Sequence, residues 1–101
     1  MSKIAVIAKI TSQPGKRADV VAGMGAMMDH VETEAGTLKY ILAEDQSDAD
    51  VLWMYEEYTD QAALDSHGSS DAMKALGGSI GPFLAGRPEL FFTNTVRGKG
   101  L

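Results

Sequence analysis

The residue of this chain best suited to acid-base chemistry is His67, which ends a short helical pattern after an aromatic strand pattern. An imidazole exchanges protons near neutral pH, and burial or a carboxylate would tune it for that work. Glu56, on the preceding strand, is the carboxylate that we predict to orient it. We therefore predict His67 as a catalytic residue. The alternative is that it packs or caps the helix end, where a positive charge is favourable.

The other candidate residues would hold a planar ligand. Aromatic rings stack on flat molecules, methionine adapts its shape to varied ligands, and an asparagine amide donates to a substrate oxygen. The predicted substrate-binding residues are Trp53, Tyr55, Tyr40, Met73, Phe92 and Asn94. The alternative for the aromatic residues is packing in the core or at a subunit interface.

Two groups of residues have spacing that suggests a metal, but we predict no metal site. His30 and Glu34 are four residues apart on a helical pattern, and a surface ion pair explains them better than half of a metal site. The loop with Asp45, Asp48 and Asp50 lacks the glycine and the distal glutamate of a helix-loop-helix calcium site. Nor does the sequence contain the glycine patterns that bind dinucleotides or phosphates, so we expect no cofactor.

Composition narrows the function classes further. The 101 residues, which we take as one domain over residues 1–101, carry a net charge of -5 and no cysteine. Disulfides, thiolate metal sites and cysteine nucleophiles are therefore excluded. The nine basic residues are scattered, so we expect neither nucleic acid nor a membrane surface as a partner. The sequence shows no signal peptide and no apolar run of about 20 residues, which favours a cytoplasmic location.

Hydrophobic periodicity predicts the elements that carry these residues. Alternation predicts strands over residues 3–11, 37–44 and 51–58, and a last strand from Pro88 through Val96. Helical spacing predicts one helix between Gly15 and Gly36, with Gly23 and Gly25 marking a close approach to the sheet or a loose segment. It also predicts a helix after Thr59 or Asp60, and another after Ser69 or Ser70 that loosens at Gly77-Gly78 and ends near Gly81-Pro82.

The element order is β-α-β-β-α-β, which predicts an α+β, ferredoxin-like antiparallel sheet with its helices on one face. The other face would then be bare. It would carry either Trp53, Tyr55, Ile41 and Phe91 or the alternate set, and both sets are too apolar for water. We therefore predict a homodimer that pairs two such open faces.

The segment 55–60, Tyr-Glu-Glu-Tyr-Thr-Asp, followed by Ala-Ala-Leu-Asp-Ser-His at 62–67, resembles the antibiotic biosynthesis monooxygenase family. The turn at Pro14-Gly15-Lys16 and the helix exit at Glu34-Ala35-Gly36 agree with this resemblance. It implies a dimeric α+β barrel that oxidises a quinol, phenolic or polycyclic aromatic molecule with O2, using neither metal nor flavin. It also implies that the substrate anion itself reduces oxygen.

Two departures from the family pattern keep other functions open. Relatives often carry a second histidine where this chain has Ala72, and a mechanism with paired histidines is therefore disfavoured. Ala8, His67 and Gly77 stand where haem-degrading members of the superfamily use asparagine, tryptophan and histidine, which disfavours haem degradation. The alternatives to a monooxygenase are an isomerase of a small carbonyl or lactone compound and a non-catalytic dimer that binds small ligands.

Overall fold

The computed structural model describes residues 3–101 and has an α+β fold. Within these residues, four strands and four helices follow one another, with a single 3-10 turn at Gly81–Phe83 before the last strand. Their bounds are β1 (Ile4–Thr11), α1 (Arg17–Gly23), α2 (Gly25–Val31), β2 (Thr37–Glu44), β3 (Val51–Tyr58), α3 (Gln61–Gly68), α4 (Asp71–Ile80) and β4 (Glu89–Asn94).

The four strands form one antiparallel sheet in the order β2-β3-β1-β4. The central pair runs in continuous register from Ile4 opposite Tyr58 to Thr11 opposite Val51. This is the ferredoxin-like arrangement that the element order predicts. The predicted bounds of β2 and β3 are confirmed, although the pairing of β2 with β3 shifts register between Thr37 and Lys39.

The core lies between the helices and one face of the sheet. β1 contributes its even-numbered residues Val6, Ala8 and Ile10, and β3 contributes Leu52 and Met54. The helical layer covers them with Val20, Met24 and Ile80, among others. Full burial of each large apolar side chain stabilises the fold by about 1.5 to 3 kcal/mol.

The single first helix that periodicity predicts is two helices, which divide at Met24. A Cβ on Gly23 would lie 2.9 Å from both Ile80 Cγ2 and Ser79 O, so α1 needs a bare backbone there to pack against α4. The close approach at Gly23 is therefore to a helix, and the predicted approach to the sheet is wrong. The helical segment also ends at Val31, four residues before the end that the pattern suggests.

The second half of the chain follows its predicted capping signals. The Asp60 carboxylate accepts a hydrogen bond from the Ala63 amide at 2.9 Å, and Ser70 Oγ accepts one from the Met73 amide at 3.1 Å. The predicted loosening of α4 at Gly77-Gly78 is wrong, because the helix continues to Ile80. The last strand ends at Asn94, so Val96 lies outside it.

The face of the sheet opposite the helices is largely open to solvent. Ile41 and Phe91 are 53% and 52% exposed there, with Ile7 and Tyr55 between them in the register. Of the two sets of residues predicted as alternatives for this face, the structure shows the one that contains Trp53 and Tyr55. No helix within residues 3–101 is long and apolar enough to cross a bilayer.

Candidate active site

His67 is the penultimate residue of α3, and only 3% of it is exposed. Its Nδ1 is 2.8 Å from Oε1 of Glu34, in the turn between α2 and β2. The two segments come this close because Gly36 has no side chain. A Cβ on Gly36 would lie 2.5 Å from the Cβ of Ala63, one helical turn before His67.

Glu34 is held on both of its oxygens. Thr37 Oγ1 donates to Oε1 at 2.8 Å, and Nε2 of His30 lies 3.2 Å from Oε2. Burial raises the pKa of Glu34, but the hydrogen bonds with His67 and Thr37 and the charges of both histidines outweigh it, and the net shift is downward. An ionised Glu34 accepts a hydrogen bond from the N–H at Nδ1 of His67. In this tautomer of the neutral ring, Nε2 carries no proton and can accept a hydrogen bond.

The carboxylate that orients His67 is therefore Glu34, and the prediction of Glu56 is wrong. Sequence reasoning paired Glu34 only with His30, which lies on the same helical face. The contact with His67 joins residues 33 apart in the chain, and local periodicity carries no signal for it. The one hint is the Glu34-Ala35-Gly36 turn, since glycine there permits close packing.

The second ring nitrogen of His67 has no hydrogen-bond partner. Within residues 3–101, Nε2 is the one fully buried side-chain nitrogen or oxygen atom in this condition. The rings of Tyr40 and Tyr58 flank the imidazole, each with its centroid 5.2 Å from it. Glu34, on the Nδ1 side, lines an outer groove, whereas His67 lines both that groove and an inner cavity.

A largely apolar cavity of about 550 Å³ lies between the sheet and the helices, beside His67. Its walls come from all four strands, from α3 and α4 and from Met24 between α1 and α2, and they include Val6, Met54 and Leu76. The ionisable side chains among its lining residues are Tyr40, Glu56, His67 and Arg87. Along β4 the cavity reaches solvent, where Leu90 and Phe92 are exposed.

Glu56 is buried in the wall of this cavity, with 8% of the residue exposed. The hydroxyl of Tyr58 donates to its Oε1 at 2.5 Å. Burial raises the pKa of Glu56, and the opposing effects of the Tyr58 hydrogen bond and of His67 do not cancel the rise. The site thus combines a carboxyl group whose pKa is raised with an imidazole held by a separate carboxylate.

The structure brings together some of the predicted site residues and separates others. Tyr40, Met73 and Phe92 line the cavity together with His67. Asn94 is two residues beyond Phe92 on the same strand, opposite Ile4, and is not in the cavity wall. Trp53 and Tyr55 lie on the other face of the sheet, because β3 places Met54 and Glu56 toward the helices.

Both residues on the open face have protein partners there. The Trp53 indole donates to Asp45 Oδ1 at 2.8 Å, and Lys9 Nζ lies 5.8 Å from its ring centroid. The Tyr55 hydroxyl donates to Glu57 at 3.3 Å. Substrate contacts by Trp53 and Tyr55 stay a prediction, and such contacts would be made outside the cavity that contains His67.

The two groups with metal-like spacing form other contacts. Within residues 3–101, no three His, Asp or Glu side chains are grouped so that they could hold a metal ion. His30 is an ion-pair partner of Glu34. Asp45 accepts hydrogen bonds from the amides of Ser47 and Asp48, so this carboxylate closes its own hairpin loop.

Comparison with known proteins places this arrangement in a family. Residues 3–77 match the family model described as antibiotic biosynthesis monooxygenase. A candidate antibiotic biosynthesis monooxygenase from Caulobacter crescentus is 31% identical, covers 95% of this chain and 92% of its own, and superimposes with a TM-score of 0.89. Rv0793 from Mycobacterium tuberculosis is 26% identical over 98% of this chain and 100% of its own, with a TM-score of 0.87.

A further candidate monooxygenase, from Nitrosomonas europaea, shares only 11% identity. It covers 98% of this chain and 95% of its own with a TM-score of 0.89, and this likeness shows the fold alone. No curated protein sequence matches that of this chain. The family model covers three quarters of the chain, and the 31% identical structure extends over nearly all of it. The chain belongs to the antibiotic biosynthesis monooxygenase family.

Proposed function

We propose that this protein is a cofactor-independent monooxygenase that oxidises a quinol, phenolic or polycyclic aromatic molecule with O2. The observation that carries the proposal is the unpartnered Nε2 of His67, buried beside an apolar cavity while Nδ1 is held by Glu34. A substrate hydroxyl or an acidic C–H next to a carbonyl would supply the missing partner. The same contact would bring its proton within reach of the imidazole that Glu34 orients.

The cavity fits such a substrate in size and in chemistry. Its volume of about 550 Å³ falls within the range of about 300 to 1,000 Å³ that is typical of small-molecule sites. Tyr40 and Phe92 supply aromatic walls, and Met73 supplies an adaptable one. A planar ligand seated there would cover the exposed side chains of Leu90 and Phe92, so that the ligand itself completes the exclusion of water.

The reaction needs no electron source besides the substrate. For an anthrone, His67 would take a proton from the CH2 group and leave a delocalised anion, which transfers an electron to O2. Recombination of the two radicals forms a C–O bond and a peroxide. Cleavage of the O–O bond then leaves a C=O group and releases one water molecule. One CH2 and one O2 thus become one C=O and one H2O.

The test is oxygen uptake by protein treated with a chelator, with a panel of anthrones and hydroquinones. We expect turnover, and we expect His67→Ala to lower it by about 10²-fold or more, in line with the usual contribution of a general base. Asp65→Ala, an exposed change on the same helix, should leave the rate unchanged. No uptake across the panel would reject the proposal. Product formed without oxygen would indicate an isomerase, and saturable binding without turnover would indicate a binding protein.

We also propose that two copies of the chain pair through their open sheet faces. Ile7, Ile41 and Phe91 are large apolar residues left exposed on this face, and Tyr55 adds an aromatic ring. An antiparallel sheet with apolar residues on both faces needs a cover on each. A second copy offers a matching surface by symmetry.

Light scattering tests the dimer directly. We expect a mass twice the 10.8 kDa of the chain, and we expect Ile41→Glu to halve it, because the charge would be buried against apolar surface. Val21→Glu, on an exposed apolar position of α1, is the matched control and should remain dimeric. A monomeric wild-type protein at micromolar concentration would reject this interface.

A further inference from the structure

Among residues 3–101, Glu56 is the one buried ionisable group of the cavity wall that the base reaction above does not use. It lies in the middle of β3, opposite Val6 of β1 and Tyr40 of β2. Within residues 3–101 no lysine or arginine pairs with it, whereas its neighbour Glu57 on the other face contacts two lysines. A buried carboxyl group without a cation is most stable when it carries a proton.

Tyr58 links this carboxyl group to His67. Its hydroxyl donates to Glu56 Oε1, and its ring packs against the imidazole at 5.2 Å between centroids. Both Glu56 and His67 line the same cavity. One ligand can therefore contact the imidazole and the carboxyl group at the same time, which gives the site one base and one acid.

We propose that Glu56 is a second catalytic residue, which donates the proton that converts the peroxide oxygen into water. The inference rests on the proposed monooxygenase function and goes beyond it, because it assigns the acid that protonates the hydroxide expelled when the O–O bond breaks. A hydroxide leaving group departs easily only if it is protonated as it leaves.

The proton balance closes over one cycle. His67 takes the first CH2 proton and returns it to the peroxide anion, which gives a hydroperoxide. His67 then takes the second proton from the same carbon, and the electron pair of that C–H bond forms the C=O bond. The O–O bond breaks, and the departing OH receives the proton of Glu56 and leaves as water. The imidazolium then reprotonates Glu56, and both groups return to their starting states.

Glu56→Gln tests the inference, because glutamine keeps the shape and cannot donate an acidic proton. With an anthrone substrate, we expect oxygen uptake to persist while formation of the anthraquinone slows by about 10²-fold, so that hydroperoxide accumulates. Glu32→Gln, an exposed change at the end of α2, is the control and should keep the two rates equal. Tyr58→Phe keeps the acid but not its hydrogen bond, and we expect a smaller separation of the two rates.

A measurement without turnover separates this inference from the proposed function. Infrared spectra recorded across a pH titration should show a carboxyl C=O stretch that persists to higher pH than those of the exposed carboxyl groups, and that Glu56→Gln removes and Glu32→Gln keeps. Absence of that band, or equal rates of uptake and product formation in Glu56→Gln, would overturn the role of Glu56 and leave His67 as the base. A wild-type protein that consumes no oxygen would instead reject the monooxygenase, and this role with it.

Discussion

Replacing Glu34 by glutamine tests whether the imidazole of His67 acts as a base supported by a carboxylate. The amide has nearly the same shape, and its oxygen can still accept the hydrogen bond that Nδ1 makes to Oε1 at 2.8 Å. Thr37 also keeps a partner. The substitution therefore removes mainly the negative charge that stabilises the imidazolium formed when His67 takes a proton.

The expected size of the effect follows from the contact. A hydrogen bond to a charged group contributes about 1.5 to 3 kcal/mol, and a neutral one contributes about 0.5 to 1.5 kcal/mol. The difference of about 1 to 2 kcal/mol corresponds to about a 5- to 30-fold lower rate of proton abstraction. The side chain of Glu34 is 16% exposed and lines the outer groove, so solvent screens part of the charge and the lower half of this range is expected.

The assay is kcat/KM for oxygen uptake at saturating oxygen. Glu34→Gln should fall between the wild type and His67→Ala. In the double variant, Glu34→Gln should add no loss to that of His67→Ala, because the carboxylate acts through the imidazole. Glu32→Gln, an exposed glutamate two residues earlier, provides the matched control. Wild-type kcat/KM in Glu34→Gln, or a loss that adds fully to that of His67→Ala, would refute the coupling of these two residues.

Two further predictions concern packing and titration. Gly36→Ala should destabilise the fold by about 1 to 3 kcal/mol in urea unfolding, because the new Cβ would overlap that of Ala63. Gly77→Ala is the control, since a Cβ there meets open space within α4, and this variant should be slightly more stable than the wild type. Equal stabilities would contradict the close packing at residue 36. The raised pKa of Glu56 means that the folded state binds this proton more tightly than the unfolded chain does. The contribution of this group to stability is therefore complete below its ordinary pKa of 4.5. It declines as pH rises through the raised pKa. The free energy of unfolding of Glu56→Gln, measured from pH 4 to 8, should lack this decline, and a parallel pH profile would contradict the assigned burial.

Much of the fold follows from local patterns. Alternating residues define β2 and β3 to the residue, and Asp60 and Ser70 cap the helices that they precede. The division of the first helix at Met24 does not follow from local patterns, since it depends on how Gly23 meets α4, nearly 60 residues later. Contacts between distant segments carry no periodic signal of their own.

The candidate site follows from the sequence only in part, because some of its contacts also join distant segments. His67 is prominent in the sequence because few residue types titrate near neutral pH. Tyr40, Met73 and Phe92 were predicted as ligand contacts, and they share one cavity because their elements converge there. The sequence does not predict Glu34 as the partner of His67, because a surface ion pair with the nearby His30 already accounts for Glu34.

The adjacent glutamates of β3 show why residue types alone do not assign roles. Glu56 and Glu57 are chemically identical, but alternation sends the first toward the helices and the second toward the open face. Glu57 is buried between Lys3, at 3.8 Å, and Lys39, at 3.5 Å, so its charge is compensated and its role there is structural. Glu56 has a tyrosine hydroxyl and a cavity instead, which leaves its carboxyl group accessible to a ligand. A shift of one residue in the register of β3 would exchange these environments, and the chemistry of the site therefore depends on the pairing of β3 with β1 as much as on the glutamate itself.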